Sequence, residues 1–224
     1  MSLCVFGAAL SPFVRKVRWY LAEQGLDYQL EMVLPFNPPQ WYYQLSPLGR
    51  IPALRDGDFE LADSSVICQY LAEAHAHPQA LYGSDARQRA RVLWLEKYAD
   101  YELAPHATFA IFRQRVLQPS MGQPCDEQIV RKALEERLPA HFDYLEKQLG
   151  NQAYLLGEAF SLADLALCCQ LINMRHAGEI LDSQRWPGLA GLFARCVARP
   201  ALQDILASEE KLLAKLHKAR HTQP

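Results

Sequence analysis

Leu3–Phe6 is a short apolar run. After a turn, Val14, Val17 and Leu21 recur on one face at helical spacing, with Gly25 just beyond, so the pattern predicts a strand and then a helix over residues 11–24. Residues 28–33 alternate apolar and polar, as a half-buried strand does. A proline- and aromatic-rich stretch, "LPFNPPQWYYQLSPLGRIPAL", follows and reads as a loop with one short helix around Trp41. Strand-like residues 53–55 and 59–61 flank Asp56, Gly57 and Asp58, a hairpin turn. "DSSVICQYLAEA" then starts a helix whose expected apolar side is Val66, Ile67, Tyr70 and Leu71. The predicted order is β-α-β-(α)-β-β-α.

The pattern changes after a linker running from His77 and Pro78 to about Asp85; every later period is helical. Residues 87–116 carry Leu93, Trp94, Tyr98, Tyr101, Phe109 and Phe112, with Pro105 inside, where a kink is expected. Residues 126–149 form a second long pattern, with a bend expected at Pro139. Residues 161–174 form a third, Leu189, Leu192, Phe193 and Cys196 mark a fourth, and residues 201–216 are the last before a basic tail. The expected organisation is an α/β domain over residues 1–76, a linker over 77–86 and an all-α domain over 87–224.

Composition changes this picture little. Half of the 224 residues are hydrophobic and 21% are charged, which suits a globular chain with a sizeable core. A net charge of −2 gives no electrostatic case for nucleic acid. No leader-like or membrane-spanning run is evident, so a cytoplasmic chain without membrane association is the expectation. None of the six cysteines forms a Cys-x-x-Cys pair, so neither a dithiol centre nor a zinc ribbon is signalled, and no metal is expected. Cys4, Cys68 and Cys196 sit in apolar patterns and read as core; Cys168 and Cys169 are helical neighbours that point apart.

Two motifs carry candidate chemistry. Ser11-Pro12 is an ordinary helix start, serine at the N-cap and proline at N1, and a hydroxyl there also keeps a proton to donate. Ser161 and Asp164 have the spacing of a capping box, with Phe160 placed as a staple. That explains Asp164 without catalysis.

The order of elements, Ser11-Pro12-Phe13 at the first strand–helix turn, "SPLGRIPAL", and Asp63-Ser64 opening the helix after the hairpin together resemble the cytosolic glutathione transferases over nearly the whole chain. The wording is closest to the serine-using classes, tau- or theta-like, and lacks the cysteine of the omega and beta classes. The resemblance implies an α/β thioredoxin-like N-terminal domain, with a mixed four-stranded sheet and helices, plus an all-α C-terminal domain. It implies that Ser11 is catalytic, donating to the thiolate of glutathione. Phe13, Arg50, Ile51 and Pro52, with Pro52 cis, together with Asp63 and Ser64, would bind glutathione: Ile51 would pair its backbone with the cysteinyl part, and Asp63 and Ser64 would hold the γ-glutamyl end. A small electrophile would sit between the halves against a pool of Tyr98, Tyr101, His106, Phe109 and Arg113, although aromatics at helical spacing are as readily core. A homodimer is also implied. Arg15, Lys16 and Arg50 bring positive charge to this region, some of which should help hold anionic glutathione, although the charges of this first helix read as readily as a solvated face, and none is assigned a particular contact. Conjugation leads; glutathione-dependent peroxide reduction and a non-catalytic binding or regulatory role are the alternatives.

Overall fold

The computed structural model describes residues 3–75 and 80–221. It divides into two compact units, Met1–Ala80 and Leu81–Pro224. Residues 77–79 of the expected linker and the last three residues of the basic tail lie outside the described residues.

The first unit runs β1 (Leu3–Phe6), α1 (Pro12–Glu23), β2 (Tyr28–Glu31), α2 (Tyr42–Leu45), β3 (Ala53–Asp56), β4 (Phe59–Ala62) and α3 (Ser64–Ala74). The strands form one mixed sheet in the order β2-β1-β3-β4; β1 and β2 are parallel, and the other two pairs are antiparallel. This is the thioredoxin-like α/β unit. β2 stops at Glu31 rather than Val33 because β1 offers only four residues: Phe6 pairs with Glu31, and the Gly7 amide closes the ladder on the Glu31 carbonyl at 2.9 Å. The β3–β4 loop is two residues, and of these only Gly57 has a positive φ, 63°, the position a type II′ turn gives to glycine. Val14, Val17 and Leu21 of α1 are wholly buried, and each contributes about 1.5–3 kcal/mol by leaving water. α3 differs from its expected face. Ile67, Cys68 and Leu71 are buried, whereas Val66 is exposed, so the face runs i, i+1, i+4 from residue 67.

The second unit is helical: α4 (Ala86–Tyr98), α5 (Ala104–His106), α6 (Gln118–Ser120), α7 (Glu127–Lys132), α8 (Leu138–Leu149), α9 (Leu162–His176), α10 (Pro187–Val197) and α11 (Pro200–His221). π-helical segments Ala99–Leu103, Ala107–Leu117 and Ala133–Arg137 join α4 to α5, α5 to α6 and α7 to α8. Each segment ends two residues before a proline: Pro105, Pro119 or Pro139. Proline has no N–H, and its ring crowds the carbonyl four residues back. In all three cases the residue just before the proline donates five residues back, Ala104 to Ala99, Gln118 to Arg113 and Leu138 to Ala133. The widened turn thus carries the helix past the proline, where a simple kink was expected at Pro105 and a bend at Pro139. α9 is buried from Leu162 to Met174 and forms the centre of the unit; its buried polar residues are hydrogen-bonded, Gln170 and Asn173 to Thr108 and Asp164 to Ser161. Trp94, Tyr101 and Phe109 are exposed; Val92, Leu95, Leu103 and Ile111 carry the core instead. α11 continues to His221, taking in part of the expected tail.

Candidate glutathione site

Sheet register brings three sequence-distant motifs to one end of the first unit. Phe6 pairs with Ala53, and Ala53 pairs with Ala62. Gly7 to Ser11 continue from Phe6, Ile51-Pro52 immediately precede Ala53, and Asp63-Ser64 immediately follow Ala62. Gly7 allows the close approach: at φ 155° a Cβ there would collide with the Val14 side chain and lie 3.3 Å from Ile51 Cβ. The N-termini of α1 and α3 therefore open beside each other at this end, a setting that favours anions.

Ser11 caps α1 with extended backbone (φ −70°, ψ 128°), and Pro12 follows in the first turn. The Val14 amide donates to Ser11 Oγ at 3.4 Å, a long bond, and the hydroxyl has no other hydrogen-bond partner among the described residues. The Ile51–Pro52 peptide bond is cis, in keeping with the resemblance. Ile51 packs against the cluster of Phe6, Val33, Tyr42, Leu45 and Ala53. Neither its N–H nor its carbonyl has a hydrogen-bond partner among the described residues. Just before it, the Arg50 carbonyl accepts from Tyr42 Oη at 3.0 Å and Ser46 Oγ at 2.8 Å, which fixes the backbone leading into Ile51. The Arg50 side chain is exposed, and Phe13 is half-buried on α1.

Asp63 is the N-cap of α3, its Oδ1 accepting from the amides of Ser65 at 2.9 Å and Val66 at 3.3 Å. It is the only non-glycine residue at positive φ (81°) among the described residues. Such backbone costs of order 1–3 kcal/mol and clusters at functional sites. Asp63 Oδ2, the Ser64 amide and the Ser64 hydroxyl have no hydrogen-bond partner among the described residues. Arg15 and Lys16 are not a solvated face: Arg15 is 0% and Lys16 1% exposed. Lys16 Nζ donates to Ser65 Oγ at 3.2 Å.

In the second unit, the pool of five divides. Tyr98 is hydrogen-bonded to His141 Nδ1 at 2.8 Å and packs on Tyr144, with ring centroids 4.8 Å apart. His106 stacks on His141 at 5.9 Å. Burial, the nearby His141 and the Arg137 charge hold the His106 imidazole below its ordinary pKa. Tyr101, Phe109 and Arg113 are exposed, and Lys97 Nζ lies 5.3 Å from the Tyr101 ring centre. His141 and Tyr144 escaped the sequence reading, although they follow Pro139 at i, i+3 spacing, the available signal.

Asp164 is structural. Its Oδ2 accepts from the Ser161 amide at 2.9 Å and the Ser161 hydroxyl at 2.6 Å, and Oδ1 from the Leu155 amide at 2.7 Å. All six cysteines are free thiols, and only Cys125 is not buried. Among the described residues no cluster of His, Cys, Asp or Glu is arranged to hold a metal ion, and no helix is long and apolar enough to cross a membrane.

Comparison with known proteins agrees with this architecture. Residues 5–79 match the glutathione S-transferase N-terminal domain, and residues 114–209 match the glutathione S-transferase C-terminal domain. A glutathione S-transferase from Hyoscyamus muticus is 31% identical over 210 residues, covering 90% of this chain and 96% of that protein. Glutathione S-transferase theta-3 from Mus musculus is 31% identical over 82% of this chain and 78% of its own length. The crystal structure of a glutathione S-transferase from Rhodospirillum rubrum superimposes with a TM-score of 0.82 at 26% identity, covering 91% of each chain. Similarity of sequence over nearly the full length and similarity of fold coincide, and the chain belongs to the glutathione S-transferase family.

Proposed function

We propose that this protein is a glutathione transferase that adds the thiolate of glutathione to small hydrophobic electrophiles. The observation that carries this is the convergence, by sheet register, of groups without partners among the described residues: the Ser11 hydroxyl proton, both backbone groups of Ile51, and the amide and hydroxyl of Ser64. Each matches one part of the tripeptide. Ser11 donates to the sulfur. Ile51 pairs N–H and carbonyl with the cysteinyl peptide groups, as an added strand would. Ser64 takes the α-carboxylate at the α3 N-terminus, and the second Asp63 oxygen faces the α-amino group. Arg50 and Phe13 border the same end.

Energetics support a thiolate-stabilising serine. A free thiol of pKa about 8.5 is only a few per cent ionised at neutral pH. Lowering it by about 2 units requires roughly 2.7 kcal/mol of preference for the anion. One hydroxyl donor to a charged group supplies about 1.5–3 kcal/mol, and the α1 dipole about 0.3–1. The sulfur of glutathione then attacks the electrophile, and Ser11 itself forms no covalent bond. Tyr98, Tyr101, His106, Phe109 and Arg113 are the pool from which the helical unit contributes to the electrophile's pocket. A cytoplasmic homodimer acting in detoxification is the setting that family membership suggests. Replacing Ser11 with Ala tests the proposal. Conjugation of glutathione to chlorodinitrobenzene should fall by about 100-fold or more, the loss of roughly 2.7 kcal/mol, while the fold persists. A Ser11→Ala variant as fast as wild type would reduce Ser11 to a helix cap.

A further inference from the structure

Lys16 places an ammonium group inside the first unit with only 1% of its surface exposed. Its Nζ donates to Ser65 Oγ at 3.2 Å. Ser65 is the second residue of α3; its amide is held by Asp63 Oδ1 at 2.9 Å, and its neighbour Ser64 carries the amide and hydroxyl that lack partners among the described residues. Removing an ammonium from water is costly, and an uncharged methionine has a similar length and volume. Positive charge beside the start of α3 also opposes the positive end of that helix dipole. An anion docking at Ser64 is attracted by both at once.

We propose that Lys16 is a positioning residue for the α-carboxylate of glutathione. It acts through Ser65, fixing the first turn of α3 and adding positive potential behind the Ser64 donors. This assignment rests on the glutathione reading of the site and deepens it, naming the α-carboxylate as the group that Lys16 serves. A cation recruited for that group discriminates by charge at the γ-glutamyl end and is indifferent to the sulfur. It should therefore govern the affinity for glutathione and leave the chemical step alone.

The test compares two ligands, glutathione and γ-aminobutyryl-cysteinyl-glycine, which lacks only the α-carboxylate. Binding is measured by calorimetry, and KM and kcat are measured for each with the same electrophile. In Lys16→Met, glutathione should bind about tenfold more weakly and its KM should rise in step. kcat at saturating glutathione should stay within about twofold, the signature of lost uniform binding. The analogue should lose nothing further, and Lys16→Arg, which keeps the charge, should recover most of the glutathione affinity. Ser65→Ala removes the hydroxyl that Lys16 holds and should show the same ligand-selective loss; it carries the test if Lys16→Met does not fold. Equal losses for both ligands, or unchanged glutathione binding in Lys16→Met, would overturn the assignment. A wild-type chain that binds neither ligand overturns the glutathione reading itself, whereas a wild-type chain that binds glutathione while the variants lose both ligands equally overturns only the role of Lys16.

Discussion

Ser64 and Ile51 owe their place in the site to backbone more than to side chain. Ile51 offers an N–H and a carbonyl held in position by the Tyr42 and Ser46 bonds to the preceding residue. Ser64 offers an amide at a helix start. Ser64→Ala removes one hydroxyl donor and keeps the amide, so glutathione KM should rise roughly tenfold, about 1.4 kcal/mol, with kcat little changed; steady-state kinetics in glutathione measure it. Asp63→Asn keeps a capping oxygen but removes the charge proposed to pair with the α-amino group. Its melting temperature should stay near wild type while glutathione affinity falls, a combination that calorimetry and thermal melts separate. The caps Ser11 and Asp63 were legible as helix starts because caps have residue signatures, whereas any role in binding came from the family resemblance. Sequence pattern leaves Lys16 undecided between a solvated face and a charge that helps hold the ligand, because burial of an amphipathic side chain depends on what packs over it and has no signature on a single helix.

At the scale of elements, hydrophobic period and turn chemistry account for every strand and for the main helices. They do not account for the π-helical segments before Pro105, Pro119 and Pro139, because a proline in a helical pattern signals interruption without saying how the backbone absorbs it. Each widened turn also rotates the residues beyond it, so Phe109 ends outside and Ile111 inside, whereas Trp94 lies ahead of all three segments and is exposed because Val92 and Leu95 take the core face of α4. Two predictions belong here. Asp164→Ala orphans the buried amides of Leu155 and Ser161 and should cost about 3 kcal/mol or more, read from the urea midpoint. His106 is held below its ordinary pKa of 6.5, first by burial and then by His141 and Arg137. The folded chain thus binds fewer protons there than the unfolded chain, and this histidine's contribution to stability falls as pH drops below about 6.5. His106→Gln should remove that part of the slope, so the wild-type-minus-variant difference in melting temperature should shrink between neutral pH and pH about 5. A difference that stays constant or grows on acidification would contradict the assignment.

For the whole molecule, the pattern switches from mixed strand–helix signals to helix alone after the segment that begins at His77, and the structure divides into the compact units Met1–Ala80 and Leu81–Pro224. The convergence of Ser11, Ile51-Pro52 and Asp63-Ser64 was not legible in that pattern, because register, which places Phe6, Ala53 and Ala62 in one row, is a property of the assembled sheet. Ligand linkage follows from that row. Glutathione at about 100 times its dissociation constant should stabilise the chain by about 2.7 kcal/mol, seen as a raised melting temperature that Ser64→Ala reduces at the same concentration. The central claim, that one hydroxyl at the head of α1 sets the ionisation of a bound sulfur, is tested most directly by titrating the bound thiol through its thiolate ultraviolet absorbance in wild type and in Ser11→Ala. Wild type should show a thiol pKa about 2 units below that of free glutathione, and Ser11→Ala should return most of the way to the free value. Equal thiol pKa values in the two proteins, with glutathione bound to both, would contradict it.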